Sequence, residues 1–357
     1  MNKSNLANCF LEAPYTWLDS KNDYVRKLHV QERAMSKTEV VTSRTEPCSY
    51  SAILKEAVAE CLGTAVLMVF GCGSVAQFIL SHGQEGSTDQ VRWSWGFGVA
   101  FGVYVSGGVS GGHLNPAVTL TKCLFKKLPW RKLLPYWAGQ YLGAFLASCL
   151  VFAVYYDALN AFDGGNRTLK TSSIFVTYPK KHLSVANGLG DQIFGTALLM
   201  LLVQALSDPK NMSPGKGYTP VLVGLIVVAI GMTYAFNCGY AINPARDLAP
   251  RIFVSIAGWG SQVFSYHDYS WFWIPIVGPH IGAILGGAVY ELCINQSLPG
   301  VDFSAFFRRL GWLAPQVEPP LPDRSVTNMA VYTVSPSEIV DTGFVEEVTT
   351  PKGDAPS

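Results

Sequence analysis

Ser110-Gly111-Gly112-His113-Leu114-Asn115-Pro116-Ala117-Val118-Thr119 and Gly239-Tyr240-Ala241-Ile242-Asn243-Pro244-Ala245-Arg246-Asp247 share one tripeptide, Asn-Pro-Ala, at positions 115–117 and 243–245. Asn is a favoured helix N-cap and Pro is favoured at the first helical position, so each copy predicts a helix that starts at its proline. A capping Asn uses its side-chain oxygen to accept a backbone N–H, which leaves its amide N–H₂ aimed elsewhere. Two such caps brought together inside a membrane present two fixed donors to whatever passes between them.

The apolar stretches that follow Asn115 and Asn243 are short, residues 115–125 and 243–256. At 1.5 Å rise per residue, about ten residues give about 15 Å of helix, half of a hydrocarbon core about 30 Å thick. Six longer apolar segments flank them, residues 57–80, 93–109, 133–156, 188–206, 221–236 and 272–293, each long enough to span. One half-span lies between the second and third, the other between the fifth and sixth. Gly63-Thr64-Ala65 resembles Gly195-Thr196-Ala197, and residues 139–146 resemble 278–285. Each half of the chain is therefore three spans plus one half-span. An odd number of spans per repeat makes the second copy enter from the opposite side, so the repeats are inverted and their half-helices meet near the midplane. The expected fold is an all-α membrane protein of six transmembrane helices and two re-entrant half-helices.

Composition agrees. Of 357 residues, 49% are hydrophobic and 14% charged, and mean hydropathy is +0.23, against about 25% charged in soluble domains. Charge is denser in the two polar ends than between them, which divides the chain into an N-terminal tail (residues 1–50), a channel region (51–298, with repeats at about 51–156 and 187–298) and a C-terminal tail (299–357). Both tails read as disordered, being polar and without sustained apolar periodicity. No apolar h-region precedes residue 51, so the first span is expected to serve as the membrane signal. Basic residues of the N-terminal tail, Lys126, Lys127, Arg131, Lys132, Lys210, Lys216, Arg308 and Arg309 all fall on one side if both termini are cytoplasmic. The exception, residues 157–185, is long, and long loops obey that rule weakly. It carries Asn166-Arg167-Thr168, a glycosylation acceptor usable only outside the cell. The net charge of +1 gives no nucleic-acid footprint. The eight cysteines show no Cys-x-x-Cys or Cys/His spacing, so neither a metal site nor a disulfide framework is expected. No cofactor motif and no nucleophile–base set appears, which disfavours an enzyme.

The two quoted stretches resemble the signature loops of the aquaporin (major intrinsic protein) family, and Asp247 directly after Asn-Pro-Ala-Arg resembles its glycerol-conducting branch, the aquaglyceroporins. The likeness covers about residues 54–298 and leaves out both tails. It implies a homotetramer of six-span subunits in a lipid bilayer, expected in the plasma membrane, each subunit passing glycerol, water and other small neutral solutes through its own pore. Asn115 and Asn243 are then the central pore donors. Each half-helix brings roughly half a positive charge to its N-terminus, and two of them facing each other repel protons and cations, the general account of exclusion in aquaporin-type pores.

The resemblance also implies a selectivity filter of Trp95, Gly231, Tyr240 and Arg246. A cation at membrane depth is by default a functional-site candidate, and Arg246 is read as pointing into the pore rather than pairing with its neighbour Asp247. Water-selective relatives typically carry His where this chain has Gly231, so the passage is expected to be wider here, with Trp95 and Tyr240 as apolar walls and Arg246 for the hydroxyls of a polyol. Trp95 could instead be an interfacial aromatic and Gly231 a packing glycine. Glu60 is read as the buried acceptor for backbone N–H groups of the first signature loop, with Gln192 its counterpart in the second repeat and Asp247 supporting loop geometry. His113 is a candidate pH-sensitive group. Two alternatives stay open: a mainly water-selective aquaporin, and an ion-coupled secondary transporter, since those also use inverted repeats and broken helices.

Overall fold

In the computed structural model, residues 50–295 are described. They belong to a compact unit of residues 1–300; the second unit, Val301–Ser357, lies outside them, as do most of the two expected tails and Cys9 and Cys48. No strand occurs among the described residues.

The first repeat runs α1 (Tyr50–Leu80), α2 (Thr88–Ser110), the half-helix α3 (Pro116–Leu124) and α4 (Leu133–Val154). Two short helices follow, α5 (Tyr156–Asp163) and α6 (Leu169–Ser172). The second repeat runs α7 (Val185–Ser207), α8 (Thr219–Tyr234), the half-helix α9 (Pro244–Val254), the short α10 (Gln262–Ser265) and α11 (Ile274–Tyr290). Helices α1 and α2 begin before their apolar runs because polar residues are tied down there. Glu56 on the first turns of α1 takes the Lys132 ammonium at 2.7 Å and the Tyr136 hydroxyl at 2.9 Å, and Ser87 caps α2 by accepting from Gln90 N at 3.1 Å.

Among the described residues, four helices are long and apolar enough to cross a membrane by length and composition alone. The other two expected spans differ for separate reasons. Helix α2 has 23 residues but carries Asp89, Gln90 and Arg92 and is glycine-rich. Helix α8 is strongly apolar but only 16 residues long, about 24 Å. Residues 157–185, read from sequence as a plain loop, instead contain most of α5 and all of α6.

The packing repeats as the sequence does. Helix α1 packs on α2 and α4, and α7 packs on α8 and α11. Half-helix α9 lies against α4 and half-helix α3 against α11, so each half-helix is held by the last helix of the opposite repeat. Glycine makes the matching contacts possible. A Cβ at Gly143 would lie 2.1 Å from the Cys61 carbonyl oxygen, and one at Gly282 2.2 Å from that of Ile193. Small residues let membrane helices approach this closely.

The distribution of polarity is that of a protein solvated by lipid. Leu54, Val58, Leu62, Phe97, Phe101, Leu146, Leu150 and Leu285 face outward, while Glu60, Gln140, Gln192, Asp247 and Arg251 are fully buried. With no water to satisfy them outside, polar groups must find partners within the bundle.

Candidate functional site

Asn115 is the N-cap of α3 and Asn243 that of α9. Asn115 Oδ1 accepts from Ala117 N at 2.9 Å, and Asn243 Oδ1 accepts from Ala245 N at 3.0 Å. Each amide nitrogen then crosses to the other loop: Asn115 Nδ2 donates to the Ile242 carbonyl at 2.9 Å and Asn243 Nδ2 to the Leu114 carbonyl at 2.8 Å. An amide nitrogen carries two hydrogens. One of each pair therefore ties the two loops together, and the second remains for the cavity that both asparagines line.

Leu114 and Ile242 can present those carbonyls because both sit at positive φ, 53° and 41°. That conformation is costly for branched and bulky residues and persists only where neighbours over-determine it. Glu60 supplies the restraint in the first repeat. Its carboxylate accepts from Leu114 N at 2.8 Å, His113 N at 2.9 Å, Ser110 Oγ at 2.5 Å and Gln140 Nε2 at 2.8 Å. In the second repeat Gln192 Oε1 accepts from Ile242 N at 2.9 Å, the bond that matches Glu60 to Leu114. The neighbouring Asp191 takes Asn237 Nδ2 at 2.9 Å, so an acid is present here too, one residue earlier.

Arg246 follows Asn243 on the first turn of α9 and is 7% exposed. Its Nη1 donates to the Phe175 carbonyl at 2.8 Å, and its guanidinium lies 4.2 Å from the centroid of the Trp95 ring, within the range of a cation–π contact. Asp247 turns the other way. One of its oxygens accepts from Arg251 Nε and Nη2 at 2.9 and 2.6 Å, and the other from Thr177 N and Oγ1 at 2.8 and 2.6 Å. Arg251 also donates to the carbonyls of Val263 and Thr177. The pair thus pins two connecting segments onto α9. Sequence reading missed Arg251, although an Arg four residues after an Asp on a short membrane helix is a signal for such a pair.

Trp95, Tyr240 and Arg246 line one cavity of about 480 Å³ together with both asparagines, His113 and, two helical turns beyond Asn115, Lys122. Gly231 is placed differently from the sequence expectation of open space. It is buried beneath Tyr240, and a Cβ there would lie 2.7 Å from Tyr240 Cζ and 2.9 Å from its hydroxyl. The tyrosine fills the room the glycine leaves, with φ of 40° and a buried hydroxyl that has no protein partner among the described residues. His113 is held in place, its Nδ1 3.1 Å from Thr119 Oγ1 and its ring against Tyr136. Asn166 is exposed in the turn between α5 and α6. Among the described residues no cluster of His, Cys, Asp and Glu could hold a metal.

Comparison with known proteins agrees with this geometry. The profile "Major intrinsic protein" matches residues 48–290. Aquaporin-10 of Milnesium tardigradum is 51% identical over 265 residues, which are 70% of this chain and 65% of that protein, just under two thirds of its length. Human aquaporin-9 is 44% identical over 256 residues, 71% of this chain and 86% of the relative. Among solved structures, the aquaglyceroporin from Plasmodium falciparum superposes with a TM-score of 0.63 at 30% identity, covering 68% of this chain and 98% of that one. The chain is an integral membrane protein belonging to the major intrinsic protein family.

Proposed function

We propose that this protein is a passive channel for glycerol, other small uncharged solutes and water that excludes protons and ions. The observation that carries the reading is the pair of crossed asparagine caps opening onto a cavity that also holds Trp95, Tyr240 and Arg246. A polyol in this slot meets aromatic carbon on one side and donors on the other: the free guanidinium N–H groups of Arg246 and the spare amide hydrogens of Asn115 and Asn243. The similarity to human aquaporin-9 and to the Plasmodium falciparum aquaglyceroporin supports the same reading. So does Asp247 beside Arg246, where the resemblance to the glycerol branch begins.

A coupled transporter needs an acid or ion ligand where the solute passes. Among the described residues lining the cavity there is no Asp or Glu, and the Glu60 carboxylate is occupied by four donors. Glycerol flux in proteoliposomes is therefore expected to be unchanged by imposed proton or sodium gradients. Flux that tracks either gradient sinks the channel reading in favour of the transporter. No enzymatic activity is proposed.

We further infer a homotetramer in the plasma membrane with both termini cytoplasmic, which places Asn166 outside the cell. Its exposed turn supports its use as a glycan acceptor. The Asn166→Gln protein expressed in a secretory-competent cell is expected to migrate faster than the wild type, and to match the wild type after glycosidase treatment. Equal migration before treatment removes the glycan from the account.

A further inference from the structure

We propose that Gly71 on α1 is a positioning residue for the solute filter, holding the Trp95 indole at the edge of the cavity. The inference rests on the filter reading of Trp95 above. Helices α1 and α2 approach through successive glycine contacts. A Cβ at Gly102 would lie 2.5 Å from the Gly63 carbonyl oxygen, and one at Gly98 2.7 Å from that of Leu67. One turn further along α1 the contact changes character. At Gly71 the missing Cβ would stand 2.3 Å from Cε3 and Cζ3 of Trp95 and 2.5 Å from its Cδ2. Here the glycine receives an aromatic side chain, and that same indole carries the Arg246 guanidinium over its ring.

An added methyl group at this position has to displace something. The helices cannot easily separate, because backbone meets backbone at the Gly63–Gly102 and Leu67–Gly98 contacts next to it. The indole is 6% exposed and borders the cavity, which is the open volume beside it. It therefore yields toward the pore and takes the Arg246 guanidinium with it or loses it. The slot narrows on the side where a polyol's carbon chain would lie. Glycerol, the wider solute, suffers more than water. Tyr240 rests on Gly231 in the same manner, so both aromatic walls sit on a glycine of a neighbouring helix.

The test is the ratio of glycerol to water permeability, per reconstituted channel, for Gly71→Ala, Gly73→Ala, Trp95→Phe, Trp95→Ala and the Gly71→Ala/Trp95→Phe double variant. Gly73 has nothing within 4 Å of its Cβ position and serves as the control on the same helix. Gly71→Ala is expected to lower the ratio about tenfold, the scale of overpacking by one methyl group, and Gly73→Ala to leave it unchanged. In the Trp95→Phe background, where the second ring of the indole is gone, Gly71→Ala is expected to change the ratio by less than about twofold, the signature of direct coupling between the two positions. A wild-type ratio for Gly71→Ala, or an equal loss of both permeabilities that Trp95→Phe does not relieve, overturns the positioning role. If Trp95→Ala itself leaves the ratio unchanged, the filter reading fails and the inference falls with it.

Discussion

Asp247→Asn is expected to lower the stability of the folded protein severely while leaving the solute preference of the surviving molecules intact. The change is nearly isosteric, so its effect comes from the lost charge and from an amide N–H₂ set against donors where both Asp247 oxygens accept. Arg251 is fully buried, and Asp247 is the acid it pairs with. Removing one charge of a buried pair costs about 3–5 kcal/mol, because the remaining charge is left uncompensated away from water. The carbonyls of Val263 and Thr177 still accept from the guanidinium but carry no charge to offset its own. The loss should appear as a lower unfolding temperature in detergent and a smaller yield of folded protein. Arg246→Val, by contrast, removes a single backbone hydrogen bond and one ring contact, and should alter selectivity far more than stability. A fully stable Asp247→Asn protein that no longer conducts glycerol would show that Asp247 acts on the solute and that its structural assignment is wrong.

Gly231→His carries the largest expected effect on selectivity. A residue larger than glycine at 231 meets the Tyr240 ring at 2.7 Å, and Tyr240 itself borders the cavity. An imidazole is fixed in place only if Tyr240 leaves, and the open direction for either ring is the pore. Glycerol permeability is expected to fall by about tenfold or more while water permeability falls much less, since overpacking of one to three kcal/mol at a constriction maps to rate factors of that size. Adding Tyr240→Ala removes the clash and should return part of the glycerol flux. Paired stopped-flow measurements of the two variants decide the matter. If a well-folded Gly231→His channel conducts glycerol like the wild type, neither Gly231 nor Tyr240 shapes the filter.

What could be read from the sequence was whatever rests on local chemistry or on periodicity. Asn115-Pro116 and Asn243-Pro244 announce helix starts because capping and proline preference are properties of adjacent residues, and both half-helices begin at those prolines. The inverted repeat was visible because it is written twice. The divergence of Arg246 and Asp247 follows from their being neighbours on a helix. Less legible were features created by contact between distant segments. The crossed hydrogen bonds of Asn115 and Asn243 join residues 127 and 129 positions apart. The seat of Trp95 on Gly71 depends on how two helices cross, and so does the filling of the space at Gly231 by Tyr240 from a loop at positive φ. Helices α5 and α6 escaped notice because they are only eight and four residues long, too short to show a sustained apolar period. Their anchors are local polar bonds, such as Asp163 to Arg167 at 2.9 Å and the Thr168–Thr171 capping box.

The property that defines this slot is passage of a polyol as well as water. It is tested most directly by measuring glycerol and osmotic water permeability side by side in proteoliposomes containing the purified protein, with Asn243→Asp as the variant that places a carboxylate at the crossed caps. Rapid glycerol uptake with a low activation energy, reduced in Asn243→Asp, is the expected result. Water flux without glycerol flux would contradict it and place the chain among water-selective channels.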